Sequence, residues 1–210
     1  MKKGLIAILT VSFVVLMGTG VLAEGLNFGI KGGVNLTKVY GDDVESADMR
    51  TVGIGGISLM YSVSDNFAIQ PEVLYAMKGA KESGSEEGIE YSATLKLTYI
   101  EVPVLFKLIF PLEGNVTPCV YAGPAIGLRL GAKASVEIAG AELEEDIKDD
   151  TKGTDFGAVF GGGMAFAVGS GALTLDARYT LGLTTIDNSD ESDDIKNSAI
   201  SVMVGYAFPF

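Results

Sequence analysis

The stretch Leu173-Thr-Leu-Asp-Ala-Arg-Tyr-Thr-Leu-Gly-Leu-Thr184 decides the fold. Leu173, Leu175, Ala177, Tyr179, Leu181 and Leu183 alternate without a break with Thr174, Asp176, Arg178, Thr180, Gly182 and Thr184. Period-two alternation of this length sets apolar residues on one face of a β-strand and polar or small residues on the other; a helix needs a period near 3.6. The same pattern recurs at both ends of the chain. Ile200, Val202, Val204, Tyr206, Phe208 and Phe210 oppose Ser201, Met203, Gly205 and Ala207, while Leu26, Phe28, Ile30, Val34 and Leu36 oppose Asn27, Gly29, Lys31, Gly33 and Asn35. Between them, strands are predicted near 51–63, 67–80, 93–110, 118–136 and 154–168, which makes eight. Around Tyr99 and Ile100 the apolar phase changes, from Leu95, Leu97 and Tyr99 to Ile100, Val102, Val104 and Phe106, and a β-bulge is expected there. Pro71, Pro103 and Pro124 stand inside predicted strands, where a missing N–H interrupts the ladder.

Composition agrees with an all-β protein. Among 210 residues, 48% are hydrophobic and 28 are glycine, a load that a helical bundle would carry at roughly 1 kcal/mol per helical glycine. There is no histidine and one cysteine. That removes Ser-His and Cys-His catalysis, histidine-ligated metals and any internal disulfide, so no enzyme activity, cofactor or metal is expected. A formal charge of −12 disfavours nucleic acid as a partner. At the amino terminus Lys2 and Lys3 precede the apolar run Leu5 to Met17 and the exit Val21-Leu22-Ala23. This is the pattern of an export signal cleaved after Ala23; residues 4–23 are also long enough to span a bilayer, but the small-residue exit favours cleavage. The expected organisation is a signal peptide at 1–23 and one β-barrel domain at 24–210.

The connections alternate. Short turns are expected at Ser64–Asn66, Leu112–Asn115 and Gly169–Gly171, and long ones near 40–50, 81–90, 137–153 and 187–197. The long ones hold 20 of the 27 acidic residues against five Lys and Arg. An antiparallel up-and-down meander whose two ends face different compartments has this form, with both termini at the short-turn end. A soluble sandwich would also alternate, but it would show water a solvating face. Here the face opposite the apolar stripe is small: Gly157, Gly161, Gly163 and Ala165 on one strand, Gly123, Ala125, Gly127 and Gly131 on another. Such a face suits the interior of an eight-stranded barrel, which side chains fill. The apolar stripe then faces lipid. About 10 residues per strand at roughly 3.3 Å, tilted about 40°, give about 25 Å, the height of an outer-membrane apolar band. Tyr206, Phe208 and Phe210 are expected to form the terminal aromatic signal read by the barrel-assembly machinery.

Gln70-Pro71-Glu72-Val73-Leu74-Tyr75 with Lys78-Gly79-Ala80, Tyr99-Ile100-Glu101-Val102-Pro103, Ala122-Gly123-Pro124, Asp155-Phe156-Gly157, Arg178-Tyr179 and Gly182-Leu183 resemble the porin-like outer-membrane β-barrel family of PorT-like type. The resemblance runs from about Gly25 to Phe210. It implies a small eight-stranded transmembrane β-barrel in the outer membrane of a Gram-negative bacterium, with Pro71, Pro103 and Pro124 where that family also carries proline. It implies no activity.

The candidate site is therefore the bore. The strand phases point Lys31, Glu72, Lys78, Glu101, Lys107, Arg129, Asp176 and Arg178 inward, where charges must pair because an unpaired buried charge costs several kcal/mol. Glu72 and Glu101 are expected to pair with Arg129 and Arg178, closing the bore; the alternative is a narrow channel lined by the same charges. Cys119 reads as a small filler. The acidic sets Asp187, Ser189, Glu191, Asp193, Asp194 and Glu142, Glu144, Glu145, Asp146, Asp149, Asp150 could hold calcium, although Ser192 stands where an EF-hand needs glycine, and solvated loops are the simpler reading. The expected role is structural or surface-interacting, as a monomer in contact with outer-membrane lipid and lipopolysaccharide. A lipid-modifying enzyme built on Ser201 is disfavoured by the missing histidine.

Overall fold

A computed structural model describes residues 25–41, 48–86, 89–138, 141–188 and 194–209, so the expected signal peptide and Phe210 lie outside the described residues. Among the described residues nine strands follow one another: β1 Leu26–Tyr40, β2 Arg50–Ser64, β3 Phe67–Glu86, β4 Ile89–Ile109, β5 Val116–Ile138, β6 Ala141–Asp146, β7 Thr154–Val168, β8 Gly171–Gly182 and β9 Lys196–Pro209. All pairings are antiparallel. The order β4-β3-β2-β1-β9-β8-β7-β5 is closed by β4 on β5, which makes a ring of eight strands. Closure leaves no free edge in the barrel wall. No helix among the described residues is long and apolar enough to cross a membrane.

Alternation decides which way each side chain points. Ile30, Val34, Val73, Phe106, Phe156, Phe160, Leu175, Val202 and Val204 are exposed on the outer surface, while Asn35, Glu72, Leu74, Leu105, Val159, Arg178 and Met203 are buried within the ring. Near the short-turn end, Tyr206 and Phe208 meet edge to face at 4.7 Å, Phe208 stacks with Phe28 at 6.4 Å, and the Tyr206 hydroxyl donates to the Val168 carbonyl. Glycine has a specific task at two positions. Gly79 has φ +124°, and a Cβ there would collide with the Leu95 carbonyl oxygen. At Gly161 a Cβ would sit 2.6 Å from the Tyr121 hydroxyl, so its absence lets that ring lie across the bore.

Three expectations need correction. The segments 81–90 and 137–153 are not plain loops: β3 and β4 continue pairing to Glu86 and Ile89, and β6 folds back on β5, Lys133 opposite Asp146 and Ser135 opposite Glu144. The acidic run of β6 is held in strand form by lysines, since Lys96 Nζ lies 3.1 Å from Glu142 and 2.9 Å from Glu144, and Lys133 Nζ lies 2.6 Å from Glu144. The bulge falls at the expected level but on the neighbouring strand. Thr98 pairs with Gly131 and Tyr99 with Arg129, leaving Leu130 of β5 as the extra residue. Strand β4 keeps its phase through this point, so Leu97 and Tyr99 face inward with Glu101 and Leu105. The shift in β5 puts Ala132 on the inner face opposite Leu97, and Gly131, expected inside, is paired with Thr98 on the other face.

The three prolines mark gaps in the ladders. Pairing lapses between Ser58/Glu72 and Tyr61/Ile69 around Pro71, between Pro71/Val104 and Leu74/Glu101 around Pro71 and Pro103, and between Pro103/Ala125 and Phe106/Ala122 around Pro103 and Pro124. A residue without an N–H cannot complete a ladder rung.

Candidate functional site

Two polar clusters separated by apolar layers fill the bore. The lower one, nearer the short turns, centres on Glu72 of β3, whose side chain is fully buried. Lys31 Nζ of β1 donates to Glu72 Oε1 at 2.7 Å. Arg178 of β8 forks onto the same carboxylate, Nη1 to Oε2 at 2.7 Å and Nη2 to Oε1 at 3.3 Å. The Gln70 amide adds a third donor at 2.6 Å. Asp176 is the second acceptor: Arg178 Nε donates to its Oδ1 at 3.0 Å, the Tyr121 hydroxyl donates to Oδ1 at 2.7 Å, and Lys31 lies 3.7 Å from Oδ2. Strands β1, β3, β5 and β8 are thus tied across the bore by charge-assisted bonds, the stronger class of hydrogen bond. Lys107 of β4 joins the cluster by donating to Gln70 Oε1 at 3.0 Å, over the Tyr121 ring.

Two separate apolar groups also line the bore, Ile54, Leu74, Ala76 and Met203 in one and Leu105, Tyr121, Ala125 and Val159 in the other. The upper polar cluster follows. Lys78 of β3 meets Glu101 of β4 at 2.7 Å and stands over the Tyr99 ring. Asn197 of β9 donates to Asp155 at 2.9 Å and to the Tyr99 hydroxyl at 3.3 Å, and Thr184 donates to the other Asp155 oxygen. A third apolar group of Val39, Ala80, Leu97, Tyr99, Ala132 and Ile186 stands at the long-loop end, with Ile147 and Ile195 against it.

The residues singled out in the sequence are therefore split between two levels. Lys31, Glu72, Lys107, Asp176 and Arg178 come together in the lower cluster; Lys78 and Glu101 pair in the upper one. Of the two glutamates expected to pair with Arg129 and Arg178, Glu72 meets Arg178 and Glu101 meets Lys78, and neither meets Arg129. The Arg129 side chain instead donates to the carbonyls of Lys148, Thr151 and Lys152. The cause is local: Arg129 borders the Leu130 bulge at the long-loop end, where residues 147–152 fold against the barrel and offer three acceptors. Gln70, Tyr99, Tyr121, Asp155 and Asn197 escaped the sequence reading. The signal was present, since each shares the inward phase of a charged residue on its own strand or across the ladder.

At the short-turn end the bore opens into a cavity of about 300 Å³ bounded by Lys31, Ser58, Gln70, Lys107, Cys119 and Asp176, among others. Outside the barrel, Glu144 is an acceptor for both Lys133 and Lys96, and these bonds hold its carboxyl down at about 2, well below the usual 4.5. Glu142 and Glu144 are thus engaged with lysines. Among the described residues no group of three or more Cys, Asp and Glu is placed to hold a metal ion, and residues 189–193 of the other acidic set lie outside them.

Residues 20–188 match the family described as outer membrane protein beta-barrel domain. The chain belongs to that family. It is a transmembrane barrel of the outer membrane. A solved major outer membrane protein from Thermus thermophilus has the same fold, with TM-score 0.50 and 12% identity over 88% of this chain and 99% of that one. Neisserial surface protein A aligns with TM-score 0.48 and 18% identity, over 89% of this chain and 98% of that one. Ail, the attachment invasion locus protein of Yersinia pestis, solved with the heparin analogue sucrose octasulfate, aligns with TM-score 0.40 and 16% identity over 87% of this chain and 99% of that one. A comparison with curated proteins finds no match.

Proposed function

We propose that this barrel is a closed, structural or surface-interacting protein of the outer membrane and not a diffusion pore. The observation that carries the reading is Glu72, fully buried within the bore and bonded at once to Lys31, Gln70 and Arg178 from three strands. To let a solute pass, that cluster would have to come apart, leaving buried charges unpaired. In this reading the short turns face the periplasm and the acidic long-loop end faces outward, toward lipopolysaccharide and external partners. The barrel acts as a monomer of the PorT-like type, processed after Ala23 and assembled with help from Tyr206, Phe208 and Phe210. Catalysis plays no part: the buried Ser201 hydroxyl donates to Asn35 Oδ1 at 2.8 Å, and the chain has no histidine to activate it.

The test is planar-bilayer recording of the refolded barrel. No discrete conductance steps are expected; steps that persist across preparations would establish the narrow-channel reading, which the cavity at the short-turn end favours. Deleting residues 137–153 then separates the two closed-barrel roles. Loss of cell adhesion with an intact envelope marks a surface-interaction protein, and leakage alone marks an architectural one.

A further inference from the structure

Charge does not balance in the lower cluster. Three cations, Lys31, Lys107 and Arg178, share the bore with two carboxylates, Glu72 and Asp176. Lys31 and Arg178 engage both carboxylates. Lys107 has no carboxylate oxygen within 4.0 Å among the described residues; its hydrogen bond goes to the neutral Gln70 Oε1. The Gln70 amide cannot turn round to improve matters, because its nitrogen already donates to Glu72. Asp176 borders the same cavity, but its Oδ1 is taken by Tyr121 and Arg178, and its Oδ2 faces Lys31. One ammonium with two spare N–H bonds is thus left at the wall of a cavity of about 300 Å³, with Lys31, Asn27, Ser58 and Thr174 as further polar lining.

We propose that this cavity binds a single oxyanion group, a phosphate or carboxylate, with Lys107 as its counter-charge. A half-buried ammonium whose contacts are a neutral amide and a ring face has no counter-charge, and an anion entering from the short-turn side supplies it. An ammonium is a compact point charge that suits one oxyanion, and the volume is at the small end of ligand pockets, which fits a headgroup or a small solute and not an extended chain. The oxyanion comes either from a free solute or from the headgroup of a phospholipid in the leaflet at that end.

Cys119, the only cysteine of the chain, borders the same cavity and reports on its occupancy. The full processed chain is refolded in zwitterionic detergent and alkylated with iodoacetamide, with and without inorganic phosphate, and again in bicelles with and without phosphatidylglycerol. Mass spectrometry gives the rate. The expected result is at least tenfold slower alkylation at saturating anion, lost in Lys107→Met and kept in Lys107→Arg, with the heat-shifted gel mobility of a folded barrel in every sample. Protection by free phosphate identifies a solute site, and protection by phosphatidylglycerol alone a headgroup site. Phosphorus NMR of phosphate and of the bicelle lipid, in the presence of wild type and Lys107→Met, reads the same binding without the thiol. No protection and no line broadening by either anion overturns the proposal, as does an equal effect in Lys107→Met.

Discussion

Replacing Glu72 with Gln removes the charge that Lys31 and Arg178 share while keeping the size and shape of the side chain. Both cations keep Asp176, Arg178 through bonds at 3.0 Å and Lys31 at 3.7 Å, so one carboxylate must then serve two buried cations. Breaking a buried pair on one side costs about 3–5 kcal/mol because the remaining charge stays desolvated, which is roughly a hundredfold to a few thousandfold in the folding constant. The loss is read from urea unfolding of the refolded barrel in detergent, by far-ultraviolet circular dichroism and heat-shifted gel mobility, since the chain has no tryptophan to report by fluorescence. A double-mutant cycle of Glu72→Gln with Arg178→Met isolates the pair from other effects of either change. Glu144→Gln, at an exposed cluster outside the barrel, is the control: its loss is confined to the β5–β6 hairpin and leaves the unfolding midpoint of the barrel itself nearly unmoved. If Glu72→Gln is as silent as Glu144→Gln, the cluster does not hold the bore together and the reasoning fails.

Gly79→Val is expected to block refolding or to cost more than about 1 kcal/mol, because a β-branched residue is strained at φ +124° and its Cβ meets the Leu95 carbonyl; Gly53→Val, where a Cβ meets nothing, is the comparison in the same unfolding assay. Leu175→Arg, on the exposed outer stripe, costs about 2–4 kcal/mol in lipid vesicles if that position lies at the bilayer midplane, and far less in a detergent whose micelle adapts. The Glu144 carboxyl, followed by carbon-13 NMR, titrates near 2 and not near 4.5. Its folded value is depressed, so its support of the β5–β6 hairpin is present above about 4.5 and fades as pH falls toward 2; a midpoint near 4.5 would mean that the Lys133 and Lys96 bonds do not form in solution.

Period-two patterning made the barrel legible because each strand has one face to lipid and one to a crowded bore, and no other environment demands both. The charged bore residues were legible for the same reason: a Glu or Arg on a small-residue face has nowhere else to point. What escaped depends on partners distant in sequence. Glu142 and Glu144 read as a solvated loop until Lys96 and Lys133 are brought beside them, and only the β4–β5 pairing does that. Arg129 reads as a partner for Glu72 or Glu101, but Leu130 bulges out beside it and the 148–152 carbonyls reach it first. Neutral polar residues such as Gln70, Tyr121 and Asn197 carry no charge to betray them, although they complete both clusters.

Methyl NMR of the barrel in lipid nanodiscs containing a doxyl-labelled phospholipid bears most directly on the orientation of the two faces. Paramagnetic broadening should erase Ile30, Val34, Val73, Leu175 and Val202, which lie on the outer surface, and spare Leu74, Leu105, Val159 and Met203 within the ring. Equal broadening of both sets, or loss of the outer set to a water-soluble relaxation agent while the lipid label leaves it intact, contradicts the lipid-facing barrel.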